Sequence, residues 1–157
     1  MRKKIIPAAP QKTASPDQNW LNLEALAAVE ISSEDAAHPI ESALLQSNAT
    51  GWRASEPGKQ TIRLLFDQPL RLQRIWLNFI ETQVERTQEY VLRWSPDGGK
   101  SFREIVRQQW NFSSQGSTSE TEDLHVDLPA VTVLELSIIP DISGNNAIAC
   151  LAQLRLA

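Results

Sequence analysis

The side chains with chemistry to offer are few. The chain has two histidines and one cysteine. His38 falls in a long irregular stretch beside Pro39, and Arg86 falls in a charged segment before a strand-like run. Trp110 and Phe112 open a polar stretch rich in serine and threonine, and Asn145 and Asn146 sit in the last such stretch. Imidazole, guanidinium and carboxamide groups hydrogen-bond well to hydroxyls. An exposed aromatic pair gives a flat apolar face, for the apolar side of a sugar or for a partner protein. These five residues, His38, Arg86, Trp110, Phe112 and Asn145, are the candidate ligand-binding set. The alternative is plainer: the aromatics cover the edge of a core, and the polar residues make local loop bonds.

Catalysis finds little support. His38, His125 and Cys150 give few ligands for zinc. No Gly-x-Ser-x-Gly, phosphate loop or dinucleotide fingerprint occurs. The acidic groups Glu34-Asp35, Glu81/Glu85/Glu89 and Glu120/Glu122/Asp123 read as solvated faces. No metal or other cofactor is expected.

A chain of 157 residues with 41% hydrophobic and 22% charged content suits one globular domain. At that length it buries roughly 70% of its unfolded surface, enough for a core without staples. Net charge is −4, which argues against a nucleic-acid partner. Arg2, Lys3, Lys4 and Lys12 precede the first acid, Asp17, leaving 11 basic against 19 acidic residues. The single cysteine rules out an internal disulfide. The apolar run after the basic start ends at Pro7, too short for a signal peptide. No segment is apolar for long enough to span a membrane. A cytoplasmic protein without membrane insertion is expected.

Pro7, Pro10 and Pro16 mark residues 1–18 as a tail, with the domain over 19–157. Alternation predicts strands over Thr61–Phe66, Leu72–Ile80, Val131–Ile139 and Ala147–Leu156, with a short one near His125–Leu128. Asp67-Gln-Pro69 breaks the first pair, and Trp110–Asp123 is expected as a long loop. Trp52, Trp76 and Trp94 belong in the core. Tyr90, Leu92 and Trp94 alternate with Val91 and Arg93. Ser95-Pro-Asp-Gly-Gly99 then turns the chain into a second strand that restarts at Phe102 and runs to about Gln108. Many short alternating strands with almost no helical period predict an all-β sandwich or barrel.

In that order the chain resembles the discoidin, or factor V/VIII type C, family. The resemblance covers residues 28–157. Val29-Glu-Ile-Ser-Ser33 looks like the family's opening strand, and Thr50-Gly-Trp52 like its Thr-x-Trp. Tyr90-x4-Ser-Pro-Asp-Gly matches its hairpin, and Leu151–Leu156 resembles the closing strand. The resemblance implies a jelly-roll β-sandwich related to galactose-binding-like domains and bacterial carbohydrate-binding modules. It implies a non-catalytic module that holds a small glycan in the loops at one end. Intracellular relatives that serve as protein–protein adaptors make a partner protein the alternative. In the sugar-binding relatives His, Arg and Asn side chains with an aromatic hold sugar hydroxyls. The family's structural calcium is disfavoured, because Leu45-Gln46 stands where it often has Asp-Gly.

Overall fold

The computed structural model describes residues 19–45 and 50–157. The predicted tail, and Gln46 of the calcium comparison, lie outside the described residues. The elements in order are α1 (Leu23–Leu26), β1 (Ala27–Ile31), α2 (Glu41–Leu44), β2 (Trp52–Arg53), β3 (Gln60–Ile80), β4 (Arg86–Ser95), β5 (Arg103–Phe112), β6 (Ser119–Ile139), β7 (Cys150–Leu151) and β8 (Gln153–Leu156).

The molecule is built on one long ribbon. β3 and β6, 21 residues each, pair antiparallel from Gln60↔Ile138 to Ile80↔Ser119. Their register shifts between Leu65 and Arg74. Pro69 lies in that gap, and proline has no N–H to give a ladder. The shifts let the ribbon crease. Its first half carries β1 on β3, and β4 with β5 on β6. Its second half carries β8 on β3. These are the two layers of a sandwich, and β2 pairs with β7 beside them. The predicted break at Asp67-Gln-Pro69 is therefore a crease within one strand rather than a loop between two.

Inward positions fill the core: Ile62 and Leu64, Leu77 and Phe79, Tyr90 and Leu92, Leu134 and Leu136. Each such side chain contributes about 1.5–3 kcal/mol relative to exposure. Phe79 of one layer meets Tyr90 of the other with ring centroids 5.3 Å apart. Trp52, Trp76 and Trp94 are buried, as expected.

The hairpin turn is held by a knot of side chains. The Ser95 hydroxyl accepts the N–H groups of Asp97 and Gly99 and donates to the Asp97 carboxylate. That carboxylate also accepts the N–H and O–H of Ser101, and the Ser101 and Ser95 hydroxyls chiefly hold its pKa down at about 2. Gly98 and Gly99 take φ of 75° and 93°, where a side chain would be strained.

The polar stretch after Trp110 is shorter as a loop than expected. β5 continues to Phe112 and β6 starts at Ser119, which leaves 113–118 between strands. Glu120 and Glu122 alternate on the face that pairs beside Phe79 and Leu77. Glu120 is buried rather than solvated.

Candidate functional site

At the end of the sandwich opposite the crease, the start of β3 and the end of β6 lie beside the end of β3 and the start of β6. We call this end the mouth. The 81–85 and 140–149 loops close over it, together with β2. A hollow of about 240 Å³ opens there, lined by Arg53, Glu81, Val84, Asn145, Asn146 and Ile148 among others.

Asn145 is the one predicted ligand residue in that lining. Its amide nitrogen donates to Asp141 Oδ2 at 2.6 Å, and its oxygen accepts the Ala147 N–H at 3.0 Å. It staples the loop and keeps one N–H and one lone pair for a ligand. Asp141 anchors the staple; the Ser143 N–H chiefly, with the Asn145 amide, keeps its carboxyl below the usual range despite burial. The neighbouring Asn146 is exposed, and its side chain makes no hydrogen bond among the described residues.

Arg86 is not a loop residue. It is the first residue of β4, and its side chain is fully buried. Its Nε donates to Glu81 Oε1 at 2.8 Å. One terminal nitrogen donates to Pro140 O and Gln88 Oε1, the other to Cys150 Sγ. The Phe112 ring lies 4.7 Å beneath the guanidinium. So Arg86 clasps the two layers at the mouth, and ligand contact is excluded by burial. Its partner Glu81 reaches the hollow. Burial pushes the Glu81 carboxyl up, but Arg86 and the Gln83 and Val84 N–H groups outweigh it and hold the pKa below the ordinary value.

Phe112 is 2% exposed and pairs with Arg86 on the inner face of β5. Trp110 pairs with Gln88 on the same face and packs against the core. Alternation along β5 sends both rings inward, so they form no exposed platform. The Trp110 indole N–H, the Tyr90 hydroxyl and Glu120 Oε2 are buried without a partner. Glu120 Oε1 accepts from Gln88 at 3.2 Å. Burial, then the nearby Glu122, pushes its carboxyl up to about 7.

His38 stands beside the hollow, outside its lining. Its Nδ1 is 3.4 Å from Asp35 Oδ2. The Asp35–His38 turn grips the backbone of Arg53, with Asp35 N–H bonded to Arg53 O and Arg53 N–H to His38 O. Burial raises the pKa of the Cys150 thiol, which leaves it a poor nucleophile.

Arg53 belongs to no motif in the sequence, yet it lines the hollow. It follows Trp52, whose indole donates to Ser33 O at 3.0 Å. With Trp52 anchored inward, the period of two sends Arg53 out. Its exposed guanidinium makes no hydrogen bond or ion pair among the described residues. Its signal in the sequence is that alternation, one position past Thr50-Gly-Trp52. Among the described residues no cluster of three or more potential metal ligands forms.

No protein-family model and no curated protein matches the chain. Solved structures do. A chitosan-binding module from a Paenibacillus chitosanase/glucanase is 16% identical, with a TM-score of 0.63 over 87% of this chain and 98% of that one. A family 32 carbohydrate-binding module from C. perfringens, in complex with galactose, is 14% identical, with a TM-score of 0.62 over 85% and 95%. A pectin-binding module is 18% identical, with a TM-score of 0.61 over 83% and 89%. Likeness at these identities speaks to architecture, and the chain has the discoidin-like jelly-roll fold of these carbohydrate-binding modules.

Proposed function

We propose that this chain is a non-catalytic carbohydrate-binding module that takes a small glycan at the mouth. The observation that carries the reading is the hollow itself. An unpaired guanidinium, Arg53, and a free carboxamide, Asn146, face the same space as the apolar side chains of Val84 and Ile148. Donors and acceptors beside an apolar wall suit a sugar ring, which offers hydroxyls at its rim and C–H groups on its face. At about 240 Å³ the space suits one or two sugar units. Structures of the same fold support the class: they include a galactose complex, a chitosan-binding module and a pectin-binding module.

A protein partner is the second reading, and one observation favours it. Ile80, Val84 and Ile142 are 46–49% exposed, and all three lie at the mouth. A cluster of exposed aliphatics marks interaction surfaces more often than chance.

Neutral mono- and oligosaccharides titrated into labelled protein test the glycan reading. Expected shifts fall on the backbone amides of 81–85 and 142–148. Arg53→Ala should weaken binding at least tenfold with an unchanged melting temperature. Shifts elsewhere, or none with any sugar on a broad glycan array, would sink it. A partner recovered by wild type and lost on Ile142→Asp would move the assignment to the second reading.

A further inference from the structure

A second hollow lies on the outer face of the larger layer, reaching the mouth end of the sheet at Lys59 and Ile139. It measures about 310 Å³, more than the hollow at the mouth. Its floor is a row of small side chains across three strands, Thr61↔Ser137↔Val91. The next residue across is Arg107 on β5. Strands lie about 4.8 Å apart, so this trough runs roughly 14 Å across the sheet.

One wall is a row of alternating charge over five strands: Glu30↔Arg63↔Glu135↔Arg93↔Glu104. Glu135 lies beneath its two arginines. Its side chain is 2% exposed, against 45% for Arg63 and 40% for Arg93. One carboxylate therefore holds both guanidinium groups from within the sheet, and the surface of the trough carries donors. Arg63 donates to Glu135 only through Nε, which leaves most of its five N–H groups. The opposite wall carries Lys59, which makes no ion pair among the described residues, and Glu89, which pairs with Arg107 at 3.2 Å. Four cations and two carboxylates line the trough, on a chain of net charge −4. The glutamates at the ends of the charged row stand outside that lining but pair with its cations, Glu30 with Arg63 at 4.0 Å and Glu104 with Arg107 at 3.0 Å, so Lys59 is the lining cation with no ion pair among the described residues.

We infer that this trough binds an acidic oligosaccharide, one whose uronate carboxylates meet Lys59, Arg63 and Arg93. Guanidinium groups pair carboxylates in a planar two-bond geometry. The Thr61 and Ser137 hydroxyls and the Glu89 carboxylate would bond the ligand's own hydroxyls. That mixture of donors and acceptors fits a chain bearing both acid and hydroxyl groups. An acidic peptide fits less well. Extended peptides gain affinity at a free strand edge or from side-chain pockets; the three strands under this floor are each paired on both sides, and the free edge is that of β5, beyond Arg107. The inference rests on the glycan reading above and adds a second site and a ligand class.

Calorimetry with a trigalacturonate, its methyl ester and a polyglutamate peptide tests it, on wild type, Lys59→Glu and Arg53→Ala. Lys59 is exposed and unpaired, so its replacement should leave the melting temperature unchanged. The acid form should bind wild type and Arg53→Ala alike, and Lys59→Glu at least tenfold more weakly. The ester should not bind, and affinity should fall between 20 and 500 mM salt, as an about fivefold shorter screening length requires. Equal binding to Lys59→Glu, or loss on Arg53→Ala alone, would overturn the trough. Polyglutamate binding as tight as the uronate would replace the sugar by a peptide. If neutral sugars bind at the mouth and the uronate does not, only the trough falls. If no sugar binds at all, the glycan reading falls with it.

Discussion

Glu120 shows how a residue that reads as solvent-facing can end up inside. It sits in Ser-Thr-Ser-Glu-Thr-Glu-Asp, a run with the composition of a loop. Pairing with the end of β3 turns it inward beside Phe79. Burial raises its carboxyl from 4.5 to about 7, and Glu122 adds to the shift. The folded state then holds the proton more tightly than the unfolded chain does. The stabilisation from this group is fully present below pH 4.5 and is lost as pH rises through 7. Glu120→Gln removes the charge and keeps the shape, and its amide can donate toward Glu122. The variant should melt higher than wild type at pH 8, by roughly 2–12 °C if the charged group costs about 1–3 kcal/mol. The two proteins should melt alike near pH 4. Scanning calorimetry at both values checks this, and an equal difference at both would refute it. The candidate site was legible to the same limited degree. Asn145 could be placed because a turn-rich segment stays at the surface. Arg86 and Phe112 could not, because sequence shows the start or end of a strand without showing which face closes over it.

At the scale of elements, short motifs were read best where they serve the backbone. Thr50-Gly-Trp52 marks a close approach between β2 and the closing strands. Gly51 takes φ of 80°, and a Cβ there would lie 2.7 Å from Leu151 O. Nothing flexible can give way, since the obstacle is main chain. Gly51→Ala should cost more than about 1 kcal/mol, a drop of at least 2–4 °C in melting temperature. A variant as stable as wild type by thermal melting would show that the strands can part there. The hairpin of β4 and β5 was equally clear, because Pro96, Asp97 and two glycines leave one way to turn. The length of β3 and β6 was not. Asp67-Gln-Pro69 looks like a full stop in sequence, and only pairing across the ribbon shows the strand resuming on a shifted register. The charged row Glu30, Arg63, Glu135, Arg93 and Glu104 was also hidden, since its members come from five strands and meet only once those strands are aligned.

The whole molecule is a single ribbon folded over, with smaller strands added to its edges. Neither layer has a backbone of its own, because β3 and β6 belong to both. Unfolding one layer would strip pairing from the other. Denaturation should therefore be one transition, with tryptophan fluorescence and far-ultraviolet circular dichroism giving the same midpoint. Two separated midpoints would mean that the crease uncouples the layers. The crease also governs which changes the chain can absorb over generations. Loops at the mouth can be exchanged or lengthened, and the surface there altered, with the ribbon untouched. The second half of β3 has no such freedom. One residue added before Leu77 would turn Leu77 and Phe79 to the outer face and bring the polar Asn78 in. The ribbon can thus stay fixed while the mouth changes, and the architecture is shared at sequence identities as low as 9%.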